Sequence, residues 1–471
     1  MVARHTQPNP DLMIKKLYHI GLIAYLALFI LSIVFYKERI VFVDCAYQLF
    51  QILRTSDFTI QNYRYGAIVT QIYPLLCAKL SVPLNASIYV YSASFIIHFA
   101  TCYWISGRVL KQYGIALSIL LFNILFVTDT FYWAQSELPQ GAVFLLLTLA
   151  VMRSEIFIHK PILQALLLVP MIVLSTLFHP ILFIAAIFLA GYFAINNKII
   201  TNKKIFFIAA AALLITFYLK LRFVVTAYDT KAMKTTDNIF SKIADWPNLY
   251  STRHFIKHML GRFMWIPVCS AIIGIIYIKE RKWLNLLLFT AFMVGYTIII
   301  NTSYPTDYTK DFYIENLYLP LSIFIAIPFV FDVLPRLEQK QLGYILFVLI
   351  LATGLVRIYL NHDTYTNRLT WERNLLKNNP GKKMLIAETP AIADTLIMAW
   401  GTPYEFWLLS TTESAGKETA NIFVTDTLDK FYLAHWDRKS FITNWQVIDY
   451  SALPEKYFNL NDTFSRYEIV R

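Results

Sequence analysis

The sequence predicts an all-α polytopic membrane protein of about eleven transmembrane helices, followed by a small C-terminal extracytoplasmic α/β domain. Three observations predict it. The chain of 471 residues is 57% hydrophobic and only 15% charged, with a mean hydropathy of +0.50, too apolar for a water-soluble protein of this length. Its apolar residues gather in runs close to the roughly 20 residues that a helix needs to cross the hydrocarbon. The stretch 361–471 is polar by comparison and carries short strand-like segments.

The first run, residues 14 to 35, is longer than a signal-peptide core, and Lys37-Glu38-Arg39 stands where a small-residue cleavage site would be, so the run is expected to stay as an anchor. Ten further spans follow at about 85–106, 113–128, 138–152, 161–178, 180–195, 205–222, 261–278, 283–300, 316–331 and 342–358. Residues 67 to 82 are apolar too, but contain Gln71, Pro74 and Lys79.

Charge decides that ambiguous segment. If it does not cross, fifteen Lys and Arg residues, from Arg4 to Lys340, collect in alternate loops, and the short loops facing the other way hold only Lys310. Cytoplasmic loops carry such an excess, so this arrangement satisfies the positive-inside rule. It sets the N-terminus in the cytoplasm, makes 1–360 a transmembrane domain with outer loops 37–84, 129–137, 223–260 and 301–315, and leaves 361–471 outside. The localisation expected is the plasma (inner) membrane, with a periplasmic C-terminal domain. In that domain 382–388, 421–426 and 440–450 read as strands, 393–410 as a helix, and 361–380 as a polar connector.

The net charge of +12 is read as a topology signal, because no dense basic run suits nucleic acid. Glycine-rich phosphate loops are absent from the sequence. Cys45, Cys77, Cys102 and Cys269 have neither disulfide nor zinc spacing.

Acids without a neighbouring base concentrate in the outer loops. Asp44, in FVDCAYQLF, sits among apolar residues at the expected membrane rim. Burial there raises a carboxylate's pKa and suits a general base, whereas a helix starting at Cys45 would make the same Asp an N-cap. Asp129 and Glu137 flank the second outer loop and, folded back on one point, would hold Mg²⁺ or Mn²⁺ against a phosphate; helix capping is the other reading. His179 precedes Pro180 where a span begins, a helix start or a phosphate or metal contact. His98, inside a span, reads as a core histidine. In Asn62-Tyr63-Arg64-Tyr65-Gly66 the guanidinium suits a phosphate, and Tyr63 and Tyr65 suit a sugar or isoprenoid surface. Tyr304, Asp307, Lys310 and Asp311 would complete a headgroup pocket.

This layout resembles the GT-C superfamily, the integral-membrane glycosyltransferases that use polyprenyl-phosphate-linked sugars. The resemblance rests on Asp44 in VFVDCAYQL, similar to that superfamily's xxDExxY stretch after the first span, on YRYGAIVTQIYPLL (63–76), on acids in the second outer loop, on His179-Pro180 and on a long fourth outer loop. Cys45 replaces the second acid of the stretch, and the C-terminal part lacks a WWDYG-like motif, which disfavours an asparagine-modifying oligosaccharyltransferase. The resemblance implies transfer of a sugar from a polyprenyl-phosphate donor to a glycan, lipid or protein acceptor, with Asp44 as base, with Arg64, together with His179 or a metal held by Asp129 and Glu137, neutralising the leaving phosphate, and with segment 67–82 along the membrane surface. A polysaccharide polymerase or ligase, or a lipid or polysaccharide transporter, is the competing class.

Overall fold

The structure, a computed structural model, describes residues 10–196, 203–306, 310–337, 341–428, 439–460 and 466–470. Arg4, Lys198, Asp307 and Lys340 of the sequence reading lie outside the described residues. The molecule is mostly helical, with a few strands near the C-terminus.

Every expected apolar run is helical: Pro10–Val34, Leu84–Trp104, Tyr113–Leu125, Glu137–Arg153, Pro161–Thr176, Leu182–Ile195, Lys203–Phe223, Trp265–Lys279, Trp283–Ser303, Pro320–Pro328 within a longer helical stretch, and Leu342–Leu360. Among the described residues six helices are long and apolar enough to cross a membrane, or up to seven if a bent pair counts as one span. Three others, at 113–125, 161–176 and 182–195, are apolar but shorter. The bent pair is Tyr250–Leu260 and Trp265–Lys279, which meet at 84°. The ambiguous segment forms the helix Ile68–Lys79, of 12 residues with Pro74 inside. At 1.5 Å per residue it is about 18 Å long, short of the hydrocarbon thickness. Its Gln71 is fully buried and fully used: Nε2 donates to Gln48 Oε1 at 2.9 Å and to the Thr59 carbonyl at 2.8 Å, and Oε1 accepts the Thr59 N–H. A glutamine in this apolar run therefore ties the helix to the preceding one, Val43–Thr55, and to the loop between them.

The C-terminal segment departs from the expected connector. Residues 361–380 contain a helix, His362–Asn378, that continues the direction of Leu342–Leu360 closely enough to count as one stretch. Three parallel strands follow in the order β2-β1-β5, with β1 Lys383–Ala387, β2 Asn421–Thr425 and β5 Glu468–Val470. The antiparallel pair β3 Ser440–Ile442 and β4 Val447–Asp449 lies within the expected strand run 440–450. Parallel neighbours need a long crossover. Here it is two helices, Pro390–Leu396 and Thr402–Glu413, broken at Ile397, where φ is +64°. The expected single helix 393–410 is thus two.

The C-terminal segment has a small core of its own, with Ile386, Phe406, Ile422 and Val424. Its Trp407, Leu408, Phe441 and Phe458 belong to the main core, together with residues of the apolar helices. The meeting point is the helix Val43–Thr55, whose Phe50 packs edge-on against Tyr404, Trp407 and Phe458 with ring centres 5.0 to 5.2 Å apart. Gly401 marks the closest approach: a Cβ there would lie 2.6 Å from Val43 Cα, so only glycine lets the two backbones meet.

Candidate functional site

Asp44 stands in the first turn of Val43–Thr55, one residue inside the helix rather than at its cap, which is Phe42. The capping reading is thereby corrected. A helix N-terminus favours a carboxylate, and this one receives Glu405 from the C-terminal segment, whose Oε1 accepts Val43 N–H at 2.5 Å. The Asp44 side chain is left to point elsewhere, and its Oδ2 accepts the Trp133 indole N–H at 2.9 Å. Burial pushes the Asp44 carboxyl up to about 7, and the Glu137 charge adds to the rise; the Trp133 hydrogen bond and the Arg64 charge oppose it. A carboxylate near neutrality suits a general base.

Arg64 is the centre of the charge arrangement. Nη1 meets Glu137 Oε2 at 3.0 Å, Nη2 lies 3.7 Å from Asp229 Oδ1, and the guanidinium sits 5.5 Å above the Tyr228 ring. Burial works against its charge, but Glu137, Tyr228 and Asp229 outweigh burial and raise its pKa. Its Nε is a buried donor without a hydrogen-bond partner among the described residues. Gly66 lets the Arg64 segment lie flat on the loop that follows the helix Pro161–Thr176, because a Cβ there would fall 2.3 Å from the Phe178 ring.

His179 comes from that loop. Its Nδ1 accepts the Ile181 N–H at 3.2 Å, which leaves the proton on Nε2 as an available donor. Burial and the charges of Arg64 and Lys220 keep the ring neutral, well below the usual histidine range. Lys220, near the end of Lys203–Phe223, is itself buried and donates to the Thr176 carbonyl. Between the helices that carry Glu137, Thr176, Leu182 and Lys220 lies an apolar cavity of 410 Å³ lined by Leu149, Ile172, Phe183, Ala190 and Leu213 among others.

Four residues singled out in the sequence, Asp44, Arg64, Glu137 and His179, therefore share one electrostatic neighbourhood. Asp129 does not join Glu137. Its Oδ2 meets Arg262 Nη1 at 2.8 Å, and its Oδ1 accepts from Asn361 at 2.8 Å and from Tyr365. The two acids expected to share a metal hold different arginines, Glu137 with Arg64 and Asp129 with Arg262, and neither caps a helix through its side chain. The turn Asp129–Tyr132 is capped instead by Glu315, which accepts the N–H groups of Thr128, Asp129 and Thr130 at 2.8 to 3.0 Å. Tyr63 and Tyr65 do not flank the Arg64 guanidinium. They stack on each other at 6.4 Å, half exposed, while the arginine takes Tyr228. Lys310 precedes the helix Asp311–Tyr318, and its charge acts on Glu388 of the C-terminal segment. His98 is buried, with Nε2 at 3.3 Å from the Gln140 carbonyl, as expected of a core histidine.

Sequence reading missed Trp133, Lys220, Tyr228 and Asp229 as members of the group. Trp133 lies between the two acids of its loop, and Lys220 ends an apolar helix, which are weak signals in one dimension. Comparison with protein-family models, curated proteins and solved structures gives no match.

Proposed function

We propose that the protein is an integral-membrane glycosyltransferase that takes a sugar from a polyprenyl-phosphate donor on the outer face of the membrane, as the GT-C resemblance implies. The observation that carries the reading is the Arg64 Nε, a buried donor without a hydrogen-bond partner among the described residues, on a guanidinium that interacts electrostatically with Asp44, His179 and Lys220, while the helices bearing Glu137 and Lys220 also line a 410 Å³ apolar cavity. A phosphate would satisfy the donor, and an isoprenoid chain suits the cavity. Eleven spans with the N-terminus in the cytoplasm accompany this reading, because lipid-linked sugars serve the side opposite to nucleotide sugars.

In the reaction Asp44 takes the proton of an acceptor hydroxyl as its oxygen forms a bond to the anomeric carbon. The bond from that carbon to the phosphate oxygen breaks, and polyprenyl phosphate leaves with the electron pair. Arg64, Lys220 and the His179 Nε2–H are donors for the charge that grows on the departing oxygen, the kind of interaction that lowers a barrier selectively. Tyr47, one turn after Asp44, meets Trp400 and Trp445 of the C-terminal segment at 6.2 and 5.4 Å, and Trp445 is 57% exposed. Aromatic faces of this kind suit a glycan acceptor. Transfer from a polyprenyl-phosphate sugar by the reconstituted protein is the test: Asp44→Asn and Arg64→Ala should each abolish it in a protein that still folds, and undiminished transfer by Asp44→Asn removes the base. A reporter fused after Leu84 should read outside; a cytoplasmic signal reverses the orientation.

A further inference from the structure

A second group of ionisable residues lies apart from the Asp44 site. His254 and His258 are one turn apart on the helix Tyr250–Leu260, and Asp311 opens the helix Asp311–Tyr318. His254 Nε2 is 3.0 Å from Asp311 Oδ1, and His258 Nε2 is 4.0 Å from Oδ2. One ligand atom from each of the three residues falls within 4.8 Å of the others, and among the described residues no other group of three His, Cys, Asp or Glu does so. Neighbouring ligand atoms of a tetrahedral zinc ion with bonds of 2.0 to 2.1 Å stand about 3.3 Å apart, so the observed spacings bracket what the ion requires. Beside the three residues is a void of 10 Å³, lined also by Asp129, Arg262 and Glu315, about the space of one water-sized sphere.

We propose that His254, His258 and Asp311 form a binding site for a divalent transition metal of the zinc class, with water in the fourth position. Two imidazoles and one carboxylate favour such an ion over Mg²⁺ or Ca²⁺, which prefer all-oxygen sites. The i, i+4 spacing places both rings on one face of a helix, and their ring centres are 4.1 Å apart. The half-exposed Asp311 gives the ion a route from water. A bound ion ties the helix Tyr250–Leu260, the first arm of the 84° bend, to the one bearing Glu315, and through Glu315 to the backbone of 128–130. The site therefore clasps two segments of the chain near Asp129 without entering the Asp44 group.

The test uses the purified full-length protein in detergent, stripped with a chelator and titrated with Co²⁺. One equivalent should bind, give the intense visible bands of tetrahedral cobalt and be displaced by Zn²⁺ but not by a large excess of Mg²⁺. His258→Asn keeps the His254–Asp311 contact and should weaken binding at least 100-fold; Zn²⁺ should raise the thermal midpoint of the parent protein and leave that of the variant unchanged. Absence of a stoichiometric site, or equal affinity in His258→Asn and the parent, overturns the proposal. The readout is independent of sugar transfer.

Discussion

Glu405 accepts the N–H of Val43 across 362 residues of sequence, and Asp44 is the next residue of the helix. Behind it Glu405 and Glu372 share one cation, Arg368, and all three side chains are fully buried. Arg368 Nη1 also donates to the Val41 carbonyl at 2.6 Å. The backbone on the N-terminal side of Asp44 is therefore held at both its donor and its acceptor by residues of the last quarter of the chain.

Two carboxylates facing one guanidinium make the consequences of substitution unequal. Arg368→Met leaves two buried acids uncompensated and should cost about 3–5 kcal/mol, the range for removing one partner of a buried pair. Glu405→Gln keeps an acceptor for Val43 N–H and leaves Arg368 with Glu372, so it should cost on the order of 1 kcal/mol. Unfolding in detergent measures both; equal losses would mean that the triad does not act as a charge balance.

A carboxyl group is a base only when ionised, and burial raises the Asp44 pKa to about 7. On the proposed reaction kcat/KM should fall about tenfold per pH unit below 7 and level off above it. Trp133→Phe removes a hydrogen bond that favours the charged form, and should move the acid limb upward by about one unit, the equivalent of ~1.4 kcal/mol. A limb that stays in place in this variant separates Trp133 from the base.

Arg64→Lys retains a charge but not the fork that meets Glu137 and Asp229. Its transfer activity should drop on the order of 100-fold, an effect of about 2.7 kcal/mol, and mostly in kcat if the lost contacts form with the departing phosphate. A change confined to KM assigns Arg64 to ground-state binding.

Filling the apolar cavity should discriminate donors by chain length. Ala190 lines it, and Ala190→Trp should raise KM for a long polyprenyl donor at least 10-fold, about 1.4 kcal/mol, while short-chain analogues react as before. Equal effects on both would place the isoprenoid elsewhere.

The apolar helices were legible because their signal is local. Runs of Leu, Ile, Val and Phe announce helices within a few residues of their observed ends, and Gln71 with Pro74 marked the segment that forms only a short helix. The site was legible in part. Asp44, Arg64, Glu137 and His179 stood out as polar residues in apolar or turn-forming contexts, and the structure brings them into one neighbourhood. Their pairing was not legible: Glu137 and Asp129 are eight residues apart, yet one meets Arg64 and the other Arg262. Alternation along Tyr63-Arg64-Tyr65 also sends the arginine away from its neighbours, which a linear reading cannot resolve into a partner. The strand β5 was missed because three residues carry too little periodicity.

The contact between Val43 and Glu405 sets an order of events during synthesis. A chain emerging from the ribosome at roughly 5–20 residues per second needs on the order of tens of seconds to reach Glu405 after Val43 has been made. Throughout that interval the first turn of the Asp44 helix lacks its capping carboxylate, and the buried aromatic seat for Phe50 does not exist. The contacts of Val43 and Phe50 with the C-terminal segment form only once the crossover helices have been made, so this part of the site is completed near the end of translation rather than on insertion of the first helix.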